Sequence, residues 1–139
     1  MFFEDFAPGR VFELGSRTIT EDEIVSFARE WDPQPLHLDG DVIASGWQTV
    51  CVWMRMYVEN VLNHAAMLAA PGVEEVRWLR PVTPGMRLTG RTTILESWPS
   101  KRTTERGNVR LRGELLDDEG EIVMSVVGFG RVHTREMAA

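Results

Sequence analysis

Ser45-Gly46-Trp47-Gln48-Thr49-Val50-Cys51-Val52-Trp53-Met54-Arg55-Met56-Tyr57-Val58-Glu59-Asn60-Val61-Leu62 is the stretch that decides the fold. Apolar side chains occupy nearly every face of a helix drawn through it, the pattern of a helix surrounded by protein. The spacing predicts a helix from Ser45-Gly46 towards Leu68, ended by Pro71-Gly72. Cys51 lies inside this run and is expected to be a small buried hydrophobe. Downstream the period changes. Val73–Val82, Met86–Trp98, Asn108–Leu116 and Glu121–His133 are long runs of β-formers. In the third, Val109, Leu111, Gly113 and Leu115 alternate with Arg110, Arg112 and Glu114, the period of a sheet with one wet face. Pro84-Gly85 and Asp118-Glu119-Gly120 supply turns. One all-round-apolar helix followed by four antiparallel strands implies an α+β fold, a curved antiparallel sheet wrapped around one long central helix. Such a sheet has exposed edges, and joining two subunits covers them, so a homodimer is expected, with further pairing of dimers open.

Upstream, Arg10–Thr20 reads as extended. Thr20-Glu21-Asp22-Glu23 is a capping box, in which Thr20 caps free N–H groups and Glu23 reaches back. Ile24, Phe27, Ala28 and Trp31 then recur at helical spacing, which predicts a helix through about Glu30. Pro33 and Pro35 stop it and are expected to hold the following residues extended.

The chain has 139 residues, 43% hydrophobic and 26% charged, and is read as a single domain over 1–139. Its net charge of −6 argues against nucleic acid as the main partner. One cysteine excludes an intramolecular disulfide framework. The acidic start Met1-Phe2-Phe3-Glu4-Asp5 lacks the basic opening of a secretory signal, and no apolar stretch is long enough to span a bilayer. No membrane partner and a cytoplasmic location are the expectations.

The chemistry is concentrated in Trp31-Asp32-Pro33-Gln34-Pro35-Leu36-His37-Leu38-Asp39. An acid and an imidazole sit five residues apart on a segment stiffened by two prolines. General acid–base catalysis needs groups held within reach of one reacting centre, and His is the side chain best matched to proton transfer near neutral pH. Asp32 and a neutral His37 can together polarise one water, one group taking its proton while the other returns a proton to substrate. The structural alternative is a carboxylate that turns the chain before a proline and a satisfied histidine.

Asp32-Pro33-Gln34-Pro35-Leu36-His37 resembles the Asp-x-Asn-Pro-x-His signature of MaoC-like dehydratases and (R)-specific enoyl-CoA hydratases. Ile43-Ala44-Ser45-Gly46-Trp47 looks like the start of that family's central helix. Val76-Arg77-Trp78-Leu79-Arg80-Pro81-Val82-Thr83-Pro84-Gly85 is similar to its Arg-Phe-x-x-Pro-Val-x-Pro-Gly strand and turn. The resemblance covers about Phe6 to Val132 and implies a hot-dog fold whose substrate is a CoA-linked 2-enoyl or 3-hydroxyacyl thioester. It gives Asp32 and His37 the catalytic roles and offers the Gly46 N–H to the thioester oxygen. A helix N-terminus favours such a developing oxyanion. Ser45 is expected to cap the helix or assist that oxygen. Gln34 stands where the family commonly has Asn, and Trp31 and Trp47 replace smaller or more flexible residues, which places Gln34 and Trp47 at the substrate and both tryptophans at the acyl pocket. No cofactor is implied, since CoA belongs to the substrate.

Only eight residues separate His37 from Gly46, fewer than the family usually has, and Gly40-Asp41-Val42 looks like the end of a shortened excursion. That motivates one alternative, a non-catalytic acyl-binding subunit. A second is an acyl-CoA thioesterase, for which the central helix offers only Glu59 as a carboxylate. Elsewhere, His64 reads as complementing the end of the helix, His133 as exposed, and Asp39 as a cap or turn. Trp53, Trp78 and Trp98 read as core or interface. Lys101, Arg102 and Arg106 read as a solvated hairpin connection, with CoA phosphates as the alternative; Gly107 and Asn108 support a turn there. So scattered a set of histidines and one cysteine has no metal-ligand spacing.

Overall fold

The computed structural model describes residues 1–138, and side chains as far as Glu136. Six strands form one antiparallel sheet: β1 (Val11–Thr18), β2 (Met67–Ala69), β3 (Val73–Trp78), β4 (Arg87–Pro99), β5 (Arg106–Leu116) and β6 (Ile122–His133). Their order is β1-β4-β5-β6-β2, with β3 also paired to β6. Three helices accompany them: α1 (Glu21–Trp31), a single turn α2 (Pro35–Leu38), and α3 (Gly46–Asn60), which the sheet wraps. This is the hot-dog arrangement.

The sheet curls because its strands carry bulges, between Glu13 and Gly15 in β1 and between Ile94 and Glu96 in β4. Gly15 takes the left-handed conformation, φ 82°, that a bulge of this kind needs. Helix α3 lies close to the concave face because two strand positions there have no side chain. A Cβ on Gly113 would fall 2.0 Å from the Trp53 ring, and one on Gly90 would fall 3.0 Å from the Met56 methyl. Trp53 is buried, stacks on Tyr57 with centroids 5.1 Å apart, and donates its indole N–H to Thr92 Oγ1 at 3.1 Å. Helix α1 begins at the expected capping box: Thr20 Oγ1 accepts from the Glu23 N–H at 3.2 Å and Glu23 Oε1 accepts from the Thr20 N–H at 3.2 Å.

Four expectations are corrected. Helix α3 stops at Asn60, not near Leu68, because the Asn60 amide turns back to the carbonyls of Met56 (2.7 Å) and Leu14 (3.1 Å). A 3-10 turn over Leu62–His64 follows, so the exposed His64 is not on the central helix. Met67–Ala69 then pairs with β6. Helix α3 is also not covered all round: Trp47, Cys51 and Met54, spaced at helical intervals, are exposed, so Cys51 is not buried. Gly107 and Asn108 lie within β5, where the Phe3 ring covers Gly107 closely. Finally, the residues after Pro33 are not all extended, since Pro35 opens α2. Proline fits a first helical position, where its missing N–H has no helical partner.

Candidate functional site

Asp32 ends α1 as its C-cap, and its backbone N–H bonds the Ala28 carbonyl at 2.9 Å. Two residues later Gln34 precedes the α2 turn, which carries His37 inward until only 5% of it is exposed. The imidazole Nε2 stands 3.1 Å from Asp32 Oδ2. Nδ1 stands 2.7 Å from the Ile43 carbonyl oxygen, an acceptor only, so Nδ1 carries the proton and donates it there. The short His37–Gly46 connection is therefore what orients the ring. The Ile43 N–H bonds the Leu36 carbonyl at 3.1 Å while the Ile43 carbonyl holds His37, and the Ala44 N–H bonds the Val82 carbonyl at 2.8 Å.

The Gln34 amide donates to Asp32 Oδ1 at 2.6 Å. That bond is the main reason the Asp32 carboxyl is held below the usual carboxylate range. The nearby Ser45 hydroxyl lowers it next, partial burial opposes both, and the charge and hydrogen bond of His37 add to the lowering. The Ser45 Oγ is fully buried beside the carboxylate and has no other partner among the described residues. It makes no cap bond either. Ser45 thus occupies the N-cap position of α3 without capping it, and the capping expectation is corrected: the hydroxyl lies beside Asp32.

Gly46 and Trp47 open α3, where backbone N–H groups have no acceptor within the helix. The Gln48 N–H bonds back to the Ser45 carbonyl at 3.0 Å, and the Thr49 hydroxyl to the Gly46 carbonyl at 2.6 Å, which fixes the first turn. A cleft of about 420 Å³ joins these parts: Asp32, Gln34, His37, Gly46, Trp47 and Trp78 line it, with Val123 of β6 behind. Trp31 does not; it is 68% exposed outside the cleft, against the expectation that it shapes the acyl pocket.

Trp78 is the site residue that the sequence did not reveal. It ends β3 opposite Met124, lays its indole over Gly46, and meets Trp47 edge to face at 5.1 Å. The family-like strand marked Trp78 as an aromatic position, but a strand pattern cannot say that its side chain reaches a helix tip more than thirty residues upstream. Ile43 contributes through its carbonyl, which sequence also hides. Glu59 pairs with Arg55 at 2.7 Å, is exposed and lies outside the cleft. Among the described residues, no three His, Cys, Asp or Glu side chains are grouped to hold a metal ion. No helix among them is long and apolar enough to cross a membrane.

A sheet curled around one helix, with an acid–imidazole pair beside the tip of that helix, defines a hot-dog protein. The MaoC like domain family matches residues 5–114, and the chain belongs to that family. It is similar to the crystal structure of a MaoC-like dehydratase from Rhodospirillum rubrum, with TM-score 0.89 and 34% identity over 97% of this chain and 98% of that one. An uncharacterised protein of Bacillus subtilis strain 168, YdeM, is 27% identical over 110 residues, 73% of this chain and 78% of its own length. The unliganded R-hydratase PhaJ1 from Pseudomonas aeruginosa shares the fold, with TM-score 0.71 at 19% identity over 96% of this chain and 90% of that one.

Proposed function

We propose that the protein adds water to a CoA-linked 2-enoyl thioester, or removes it from the 3-hydroxyacyl product, with Asp32 and His37 as catalytic residues. The observation that carries this reading is the 3.1 Å approach of His37 Nε2 to Asp32 Oδ2 in a cleft shared with the tip of α3. A contact that short between two such atoms holds one proton. The lowered Asp32 pKa favours the carboxylate, the form in which Asp32 can accept a proton. A water held against both groups from the cleft side gives a proton to Asp32 while its oxygen bonds C3 of the enoyl group. The C2–C3 π electrons move towards the thioester, whose oxygen takes up charge facing the Gly46 N–H. His37 Nε2 then delivers its proton to C2. Asp32 is left protonated and His37 neutral, and the proton crosses the 3.1 Å contact to restore the pair.

Gln34 holds Asp32 in place, Trp47 walls the acyl end, and Ser45, buried behind Asp32, supports the carboxylate form. The reaction needs only proton movement and oxyanion stabilisation, and the CoA is carried by the substrate. A homodimer fits the same reading. The exposed stripe Trp47, Cys51 and Met54 is joined by Val73 and Trp78 of β3 and by Leu79 just after it, and among the described residues β3 pairs only with β6. The test is loss of the conjugated enoyl-thioester absorbance over a panel of acyl-CoA chain lengths. Release of free thiol, from saturated acyl-CoA as well as from the enoyl thioester and with no 3-hydroxyacyl-CoA formed, would overturn the proposal in favour of thioester hydrolysis.

A further inference from the structure

At the opposite end of the sheet lies a second cleft, of about 310 Å³, lined by Trp98, Ser100, Lys101, Arg102, Arg106, Asn108 and Arg131. Val123 borders the Asp32 cleft and Arg131 borders this one. At about 3.3 Å per residue, β6 separates them by about 26 Å.

Strand register builds this cleft. Trp98 is directly opposite Asn108, and Asn108 opposite Arg131, so the three side chains form a row across β4, β5 and β6 on the convex face. Arg106, opposite His133, starts the next row. The β4–β5 connection closes over the row and is pinned at several points. The Ser100 N–H bonds the Arg106 carbonyl at 3.1 Å, Ser100 Oγ accepts from the Arg102 N–H at 3.1 Å, and Thr134 Oγ1 donates to the Thr104 carbonyl at 2.7 Å.

The charge balance of this cleft is unusual for the molecule. Most of the other arginines of the sheet have a carboxylate partner: Arg91 has Glu114 at 2.9 Å and Arg110 has Glu74 at 2.7 Å. Lys101, Arg102, Arg106 and Arg131 have none within 4.0 Å among the described residues. Glu105 sits in the same connection, exposed, and meets the neighbourhood through its backbone. Four unpaired cations gathered on a chain of net charge −6 repel one another, and an anion relieves that repulsion. The cavity is larger than a lone inorganic anion requires, and one of its walls is an exposed indole, a surface on which a planar ring stacks.

We propose that this cleft binds a nucleoside phosphate, its base against Trp98 and its phosphates among Arg106, Arg131, Lys101 and Arg102. The proposal does not rest on the hydration reading. The same chemistry has two sources, a free nucleotide or the nucleotide end of a CoA thioester, and the experiment separates them.

The probe is ADP, titrated by calorimetry, with adenosine and pyrophosphate as its two halves. The wild type is expected to bind ADP at least about tenfold more tightly than either half. Raising the salt is expected to weaken binding, since exposed charge pairs are screened. Arg106→Gln with Arg131→Gln should lose at least about tenfold in ADP affinity with an unchanged melting temperature. Trp98→Leu should abolish the preference for ADP over pyrophosphate. Absence of saturation at millimolar ADP, salt-insensitive binding, an arginine double variant that binds as tightly as wild type, or equal affinity for an acidic peptide would each overturn the proposal. If the arginine variant raises KM for a CoA thioester but not for a pantetheine thioester, the nucleotide belongs to the substrate. If neither KM moves while ADP binding is lost, the ligand is a free nucleotide.

Discussion

Gly46→Ala separates the packing of the candidate site from its chemistry. A Cβ at this position would lie 2.3 Å from Trp78 Cε2, 2.4 Å from Nε1 and 2.7 Å from Cδ2. Carbon atoms in good contact are about 3.5–4.0 Å apart, so the indole must retreat by more than about 1 Å. Trp78 is 45% exposed at a strand end, and the ring has room to swing outward. That movement breaks its edge-to-face contact with Trp47, a pair of the kind worth about 0.5–1.5 kcal/mol. Together with residual strain, the expected cost is about 1–2 kcal/mol. For a chain of this size that lowers the melting temperature by roughly 3–8 °C. On the proposed mechanism the disturbed helix tip also weakens the Gly46 N–H as a donor to the thioester oxygen, and losing one such donor costs about 100- to 1,000-fold in rate. Thermal unfolding followed by circular dichroism reads the first effect and enoyl-thioester hydration reads the second. Trp78→Ala removes the clash, so Gly46→Ala should cost almost no further stability in that background. If Gly46→Ala costs the same with and without Trp78, the steric argument is wrong.

Gln34→Leu removes the leading cause of the depressed Asp32 pKa, which must then rise towards its ordinary value. A depressed pKa keeps the carboxylate ionised to lower pH, so its loss moves the acid limb of the kcat/KM profile to higher pH; an unshifted limb would contradict the assignment of Asp32 as base. Gly113→Ala should destabilise more than Gly46→Ala, by about 3 kcal/mol or with loss of folding, since its Cβ would lie 2.0 Å from a buried, stacked and hydrogen-bonded Trp53. Chemical denaturation measures the difference. Sedimentation should give twice the 15.8 kDa chain mass, and Val73→Lys on the open β3 edge should shift it towards one; a wild-type monomer at micromolar concentration would rule the dimer out.

Much of the architecture was legible because it rests on local signals. The Thr20–Glu23 box, the alternation in Val109–Leu115 and the turn at Pro84-Gly85 each have one physical solution, and the structure adopts it. The end of α3 was not legible. Val61 and Leu62 continue the apolar pattern, while the stop comes with the Asn60 amide reaching the Leu14 carbonyl, a residue more than forty positions away in the chain and close only in the fold. The exposure of Cys51 was hidden because an apolar stripe looks the same whether a sheet or a second subunit covers it. At the site, Asp32 and His37 were visible as a spaced pair. Their convergence depends on α2 and on the Ile43 carbonyl, and a backbone acceptor leaves no mark on residue identity. Ser45 was misread for a related reason: Ser before a helix is the common cap, but its side chain faces Asp32 instead.

The account stands on Asp32 and His37 acting as one unit on one water. Its most direct test is the hydration rate of Asp32→Asn, His37→Ala and the double variant, each confirmed to melt like the wild type. Each single change should cost at least about 100-fold, and the double variant should be hardly slower than the worse single one. A folded single variant that hydrates at the wild-type rate, or losses that simply multiply, would contradict it.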